Sequence, residues 1–185
     1  MKLKKTQLVN IAIILLLTLY FFTPIGFKAK VYLNRLISHN PVPVEERAQQ
    51  ILEDYDFKLV NSNGSSVNLS EHKGDVIFIN FWATWCPPCV AEMPDLQLLY
   101  DAYGEKVTFL FIARDKKEKV SNFMMKKKYN LPVYFESGFT PKTLYSAALP
   151  TTFVIDKKGN IVVAETGSAA WNSQSVRSLL DGLLK

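Results

Sequence analysis

The chain has 185 residues, of which 48% are hydrophobic, and its formal net charge is +5. This length suffices for one ordinary domain with a buried core plus a short additional segment, and it argues against two full-sized domains. Membrane topology explains the basic excess better than nucleic-acid binding does, because many of the basic residues flank a single apolar stretch: Lys2, Lys4, Lys5, Lys28, Lys30 and Arg35.

The first predicted element is a charge-free, largely apolar segment that runs from Leu8 to Phe27. Its length of about 20 residues is enough for a helix to cross a bilayer. A cleaved signal peptide shares the basic start and the short apolar centre, but no convincing small-x-small cleavage site follows. We therefore predict that residues 1–27 are an uncleaved transmembrane anchor, with cleavage as the alternative. Basic residues on both sides leave its orientation open.

Residues 28–55 are predicted to be a stalk or linker between this anchor and a folded domain. The prolines in the segment 40–43 interrupt regular structure, and residues 45–51 could form a short helix. We expect the whole segment to act as a spacer.

From residue 56 to residue 185 the pattern is that of one folded domain, because short apolar runs alternate with turn signals and helical periodicity. The run 76–82 is apolar except for Asn80, which is typical of a strand buried on both faces. The order of elements predicts an α/β domain with a mixed central sheet and helices on both of its faces. Strands are expected near 57–60, 67–69, 76–82, 107–113, 152–155 and 161–164, and helices near 87–103, 117–129 and 172–184.

Two cysteines, Cys86 and Cys89, lie three residues apart where the strand 76–82 meets the helix 87–103. Cysteines at this spacing can close a small disulfide ring. A sulfur at the helix N-cap faces the positive end of the helix dipole, which favours the thiolate that attacks disulfides. We therefore predict that Cys86 is the attacking thiol and that Cys89, one turn further in, is the resolving thiol.

Zinc binding and inert core cysteines are the alternatives for this pair. A structural zinc ion usually takes four ligands, yet the chain has no second cysteine pair, and His39 and His72 have no HxxxH-like spacing. Inert cysteines rarely occupy an exposed helix start. We predict no metal site, and we expect both histidines to be surface loop residues.

Two stretches of the sequence resemble the TlpA/ResA-like branch of the thioredoxin superfamily. One is residues 81–89, Phe-Trp-Ala-Thr-Trp-Cys-Pro-Pro-Cys, followed by Glu-Met-Pro at 92–94; the other is residues 149–156, Leu-Pro-Thr-Thr-Phe-Val-Ile-Asp. The resemblance covers residues 56–185. It implies a thioredoxin-like fold, a single-pass anchor in the cytoplasmic (inner) membrane, and a catalytic domain on the periplasmic or extracytoplasmic side.

The same resemblance implies a substrate-binding surface around the cysteine pair. Pro150 is expected to form a cis peptide bond beside the disulfide and to leave neighbouring backbone groups free for an extended substrate. We expect Trp85, Pro87 and Leu149 to contribute to this surface.

Glu92 is the third residue to which we assign a catalytic role. It follows Cys89 by one helical turn, and ResA-like proteins have a glutamate at this place in the active-site cavity. The resemblance therefore implies that Glu92 transfers a proton to or from Cys89. The alternative is a solvated helix residue. Asn80 stands where thioredoxin itself has a buried aspartate, so that acid is missing here.

These residues predict a thiol-disulfide oxidoreductase whose Cys86–Cys89 pair needs no further cofactor. Reduction of protein disulfides, with cytochrome c maturation as one setting, is favoured because Pro87 and Pro88 have no N–H groups with which to stabilise the Cys86 thiolate. The expected partners are protein disulfides, a membrane thiol electron donor and the bilayer, without nucleic acid. The alternatives are a disulfide-donating oxidase, a copper-binding thioredoxin-fold module and a peroxiredoxin-like peroxidase.

Overall fold

A computed structural model describes residues 4–185 of the protein; Lys2, part of the predicted basic flank, lies outside the described residues. The apolar segment forms helix α1, Lys5–Phe22, in which no residue is buried. Its mean hydropathy of 1.7 and its length are sufficient for a membrane span. Thr23 has an extended backbone that ends α1, and its side chain caps a second helix, α2, Pro24–Ile37.

The predicted stalk differs from the expectation, because its first part, up to Ile37, belongs to α2, and from residue 39 onward its backbone lies against the domain. Its backbone pairs with the domain at three points: His39 with Ala169, Val44 with Val162, and Ile51 with Asn160. Between residues 39 and 55 the one helical piece is the short turn Glu46–Ala48. Leu52 is 2% exposed, so burial of apolar surface and backbone pairing hold this segment in place. The ordered body of the domain therefore begins well before residue 56.

The domain is built on a seven-stranded mixed sheet with the order β2-β1-β5-β4-β3-β6-β7. The strands are β1 Lys58–Asn61, β2 Ser66–Asn68, β3 Ile77–Trp82, β4 Thr108–Ala113, β5 Val133–Glu136, β6 Thr151–Ile155 and β7 Ile161–Thr166. Strands β3, β4 and β5 are parallel, and the other pairings are antiparallel. Every residue of β3 is buried, which confirms the prediction of a central strand.

Three helices complete the domain: α3 Pro87–Tyr103, α4 Lys117–Lys127 and α5 Gln174–Leu184. All three pack on one face of the sheet, so the expectation of helices on both faces is wrong. The reason is topological: the crossovers β3–α3–β4 and β4–α4–β5 add strands in the same direction, and right-handed crossovers then place their helices on the same face. The helices bury Leu96, Val120 and Leu180 in the same core cluster as Phe78 and Trp82 of β3.

The opposite face of the sheet is covered by extended segments and short turns. Ile79 and Phe81 of β3 point to this side, because side chains alternate along a strand. They pack in a second cluster with residues from the N-terminal segments and the loop before β6: Leu52, Phe57, Leu69 and Leu144. The sheet is therefore covered on both faces, and the functional site lies at the edge where β3 ends and β6 begins.

Candidate active site

The cysteine pair occupies the start of α3, directly after β3. Cys86 is the N-cap residue and is joined to Cys89 by a disulfide with a Cα–Cα distance of 5.3 Å. The backbone N–H of Cys89 donates to Cys86 Sγ at 3.2 Å. Since Pro87 and Pro88 have no N–H, this is the first backbone donor of the helix available to the sulfur. The structure thus brings Cys86 to the helix terminus at which the sequence places it.

Exposure distinguishes the residues of this loop. Trp85 is 59% exposed, whereas Cys86 is 3% exposed and Cys89 is fully buried. The start of α3 is therefore more enclosed than the sequence suggested. What little surface the disulfide presents belongs to Cys86, consistent with Cys86 as the sulfur that meets a substrate. Pro87 is half-buried beside it.

Polar side chains brace the loops at this edge of the sheet. Thr84, two residues before Cys86, donates to the Asp115 carboxylate after β4. Arg114 pairs with the Glu136 carboxylate at 3.2 Å and also binds the carbonyl of Ser146. These contacts connect the chain after β3, β4 and β5 to the loop that precedes β6.

Pro150 lies at the same edge because β3 and β6 are antiparallel, with Phe81 opposite Thr151. The Leu149–Pro150 peptide bond is cis, as the family resemblance implies. The carbonyl of Pro150 accepts a hydrogen bond from Gly167 N–H at 2.9 Å. Within residues 4–185, by contrast, neither the N–H nor the carbonyl of Leu149 has a hydrogen-bond partner. The backbone of Leu149 can therefore pair with an extended chain.

Glu92 follows Cys89 by one turn of α3 and is only 2% exposed. The alternative of a solvated helix residue is therefore wrong. Its carboxylate accepts three hydrogen bonds: Oε1 from Asn80 Nδ2 at 2.8 Å, and Oε2 from Trp171 Nε1 at 2.9 Å and from Ala169 N–H at 3.4 Å. The site thus holds a buried, fully oriented carboxyl group.

Burial raises the pKa of Glu92 from its ordinary value of 4.5 to about 8. The three hydrogen bonds act in the other direction, because they stabilise the charged form, but the loss of hydration outweighs them. The nearby Asp95 carboxylate raises the pKa further. A carboxyl group with such a pKa can both accept and release a proton near neutral pH.

Asn80 connects this carboxyl group to β6. Its Nδ2 also donates to Thr152 Oγ1 at 2.8 Å, while its Oδ1 is buried and has no partner among the described residues. If the amide turns over, Oδ1 faces Glu92 and can accept the proton of the neutral acid. An asparagine at this position can thus hydrogen-bond to Glu92 in either protonation state, whereas an aspartate would add a second negative charge.

Sequence reasoning recorded Asn80 only as a missing acid and did not identify Trp171 or Ala169. Both lie far along the chain from Glu92, in a segment without a motif. The one signal in the sequence that could have indicated Trp171 is the scarcity of tryptophan, since the chain has only 3.

The two histidines contact carboxylates on the surface. His39 Nε2 lies 3.2 Å from Glu165 Oε1, and His72 Nδ1 lies 3.5 Å from Asp75 Oδ2. Among the described residues, no group of three or more histidine, cysteine, aspartate or glutamate side chains is arranged to hold a metal ion.

Comparisons with known proteins agree on the type of protein. Residues 53–164 match the AhpC/TSA family. The thiol-disulfide oxidoreductase ResA of Bacillus cereus (strain ZK / E33L) is 37% identical over 121 residues, which cover 64% of this chain and 70% of that protein. The protein of the same name from Bacillus anthracis is 33% identical over 144 residues, covering 76% and 80% of the two chains.

Similar solved structures identify the fold of the chain. A thiol:disulfide interchange protein of the thioredoxin family from Chlorobium tepidum TLS is 26% identical with a TM-score of 0.57, over 80% of this chain and 97% of that one. The exposed lipoprotein thioredoxin Etrx1 of Streptococcus pneumoniae is 28% identical with a TM-score of 0.58, over 69% and 99%. The fold is thioredoxin-like, as the two sequence signatures implied.

Proposed function

Because the chain belongs to the AhpC/TSA family and is a ResA-like thiol-disulfide oxidoreductase, we propose that it works as a reductase of protein disulfides outside the cytoplasm. The direction of electron transfer is inferred from the environment of Cys86 Sγ. This sulfur receives one backbone N–H bond, from Cys89. Strongly oxidising relatives of thioredoxin stabilise the attacking thiolate far more, which lowers its pKa and makes the reduced form the stable one. A modestly stabilised thiolate favours giving electrons to substrates.

The catalytic cycle begins with the pair in the dithiol form. The Cys86 thiolate attacks one sulfur of a substrate disulfide, which forms a Cys86–substrate mixed disulfide and releases the other substrate sulfur as a thiolate. Cys89, once deprotonated, then attacks Cys86 Sγ and releases the second substrate sulfur. Two electrons pass to the substrate, and the Cys86–Cys89 disulfide is left in the enzyme. This pair is the whole redox centre, so the proposal requires no cofactor.

Glu92 supplies the proton chemistry of the second step. As a carboxylate it accepts the proton of Cys89, and as an acid it returns a proton when the thiolate re-forms. Its pKa of about 8 is close to the ordinary value for a cysteine thiol, so the transfer is nearly balanced in either direction. The carboxyl group lies one turn beyond Cys89 on the same helix, so both groups move as one unit.

The substrate is an extended segment of another protein. Trp85 offers an exposed aromatic surface beside Cys86, and Leu149, next to the cis proline, offers backbone groups that have no partner within residues 4–185. Pro87 and Pro150 complete the same edge and have no N–H that would compete for the substrate backbone. An oxidised pair of cysteines in an unfolded chain fits such a surface, which agrees with a role in cytochrome c maturation.

Helix α1 is the anchor of the proposed enzyme. Its apolar length supports a single pass through the cytoplasmic membrane, with the domain on the periplasmic or extracytoplasmic side where disulfides persist. The disulfide left after each cycle must be reduced again, so a membrane protein that carries thiol electrons is the expected donor. We propose no nucleic-acid partner.

The redox state of the pair in the living cell tests the direction of electron flow. Cells are quenched in acid, free thiols are alkylated with a mass tag, and the two forms of the full-length protein are separated by size. A reductase is held mostly in the dithiol form. A pair found mostly as the disulfide, with a reduction potential near the roughly −120 mV of DsbA, would identify a disulfide-donating oxidase instead.

A further inference from the structure

Helix α2 has two faces of opposite character. Phe27, Val31 and Asn34 are half-buried on one face, and α2 packs against the active-site helix α3. The apolar residues on the other side of the helix are exposed by 50 to 67% of their surface: Ile25, Tyr32, Leu33, Leu36 and Ile37. Their spacing of three, four and seven residues places them on one continuous stripe that points away from the domain.

Contacts with the end of α1 fix the level of α2 relative to the membrane span. The ammonium of Lys30 lies 4.9 Å from the centre of the Tyr20 ring and 4.7 Å from that of Phe21. Both rings belong to the last turn of α1. If the helix continued straight beyond Phe21, the backbone of Lys30 would lie about 14 Å further out. The break at Thr23 therefore turns α2 back to the level at which the span ends.

We propose that α2 is an interfacial helix whose exposed apolar stripe lies in the boundary between lipid headgroups and acyl chains. The proposal rests on the anchoring of the protein by α1. Tyr20 marks the level of the interface, where aromatic side chains concentrate at the ends of membrane spans. Lys28 and Arg35 are exposed at one flank of the stripe, from which their long side chains can reach anionic headgroups.

The bilayer is the occupant that the chain connectivity favours. The stripe begins at Ile25, three residues after the span ends at Phe22, so lipid is already present at that depth. A second copy of the chain or another protein would have to displace this lipid to cover the stripe. Exposed apolar surface of this extent is costly in water, and immersion in the interface removes that cost.

The consequence for catalysis is a fixed height of the active site above the membrane. Helix α3, which Cys86 caps at its start, packs against α2. A domain on a flexible stalk would sample a wide range of distances from the bilayer. A domain that rests on an interfacial helix presents Trp85 and Cys86 at one distance, which suits an electron donor and substrates held at the same surface.

Spin labelling of the full-length protein tests the position of α2. Single cysteines replace Leu36 or Leu33 in a Cys86→Ser/Cys89→Ser background, and the labelled protein is placed in vesicles of phosphatidylethanolamine and phosphatidylglycerol. Ser121→Cys, on the exposed surface of α4, is the aqueous control, and Leu15→Cys is the control for the span. Collisions with oxygen report contact with lipid, and collisions with a water-soluble nickel chelate report contact with water.

The proposal predicts a several-fold higher ratio of oxygen to nickel collisions for labels at 33 and 36 than for the label at 121. If the label at 15 lies in lipid while those at 33 and 36 match the aqueous control, the interfacial position of α2 is wrong. The anchoring of the protein by α1 would then still be supported. Labels at 33 and 36 that are immobile and shielded from both reagents would mean that protein covers the stripe, which also overturns the proposal. If the label at 15 is itself exposed to nickel, the anchoring by α1 fails, and this inference fails with it.

Discussion

The indole N–H of Trp171 donates to Oε2 of Glu92 at 2.9 Å, although 79 positions separate the two residues in the chain. Trp171 is fully buried, and its ring meets the Phe78 ring edge-on at a centroid distance of 5.1 Å. The bond therefore ties the carboxyl group of the active-site helix to the core of the domain. It orients the group to which we assign the proton transfer of the proposed catalytic cycle.

Trp171→Phe tests whether this bond sets the pKa of Glu92. Phenylalanine retains most of the packing against Phe78 but donates no hydrogen bond, so the carboxylate loses one stabilising partner and its pKa rises further. The limb of the pH-rate profile that reports Glu92 should move to higher pH, and the free energy of unfolding should fall by about 1–3 kcal/mol. Trp85→Phe, at the exposed tryptophan, is the control and should leave that limb in place.

Glu92→Gln should slow thiol-disulfide exchange near neutral pH while the fold stays intact. The amide has nearly the same volume but cannot take the proton of Cys89, and general acid–base groups contribute roughly 10²–10⁴-fold to rates. The pKa values of the cysteine pair should also move downward, since the negative carboxylate no longer opposes a thiolate. Insulin reduction and thiol titration measure the two effects, with Glu105→Gln on the surface as the control. Rates and titrations that overlay those of the parent would remove Glu92 from the mechanism.

The stability of the oxidised protein should depend on pH through Glu92. Its pKa is about 8 when folded against an ordinary 4.5, so between these values the folded state binds more protons than the unfolded state. Stability must then fall as pH rises, by up to about 1.4 kcal/mol per pH unit, and level off above pH 8. Denaturation in detergent, followed by tryptophan fluorescence at pH 5, 7 and 9, should show this loss in the parent and not in Glu92→Gln. Parallel curves for the two proteins would contradict the burial of a titrating carboxyl group.

Replacement of each cysteine should block a different step of the reaction. Cys86→Ser removes the attacking sulfur and should abolish insulin reduction. Cys89→Ser can still attack but cannot resolve, so it should accumulate mixed disulfides with its substrates. Non-reducing gels of cells that express each variant distinguish the two outcomes. Adducts trapped by Cys86→Ser rather than by Cys89→Ser would reverse the assigned roles.

Helix α1 should remain part of the mature protein and hold the domain outside the cytoplasm. Alkaline carbonate should leave the full-length protein in the membrane pellet, and protease added to the extracytoplasmic side should digest the domain. A variant with two charges in the span, Leu15→Arg/Leu16→Arg, should lose membrane retention, because each charge at the centre of a span costs about 2.5–3.5 kcal/mol. A soluble mature protein that lacks residues 1–27 would instead show that the segment is a cleaved signal peptide.

Local sequence signals predicted the elements around the cysteine pair well. Helix α3 occupies 87–103 as expected, because the N-cap cysteine and the prolines of the first turn are signals that act within a few residues. Strand β5 was missed, since Val133–Glu136 has only four residues and owes its conformation to pairing with β1 and β4. The start of the domain was placed too late for a similar reason: Leu52 is buried by residues remote in the sequence.

By itself, the sequence determined the chemistry of the pair: two thiols at a helix start, two prolines between them, and an acid one turn further on. The pKa of that acid, by contrast, was decided by the tertiary structure alone. The pKa of Glu92 depends on the water excluded around it and on donors from two distant segments, Asn80 in β3 and Ala169 and Trp171 in the loop between β7 and α5. Likewise, the sequence marked an apolar N-terminus, but only the turn at Thr23 and the contact of Lys30 with Tyr20 showed that α2 turns back to the level at which α1 ends. Burial and proximity are properties of the folded chain, so no local pattern could supply them.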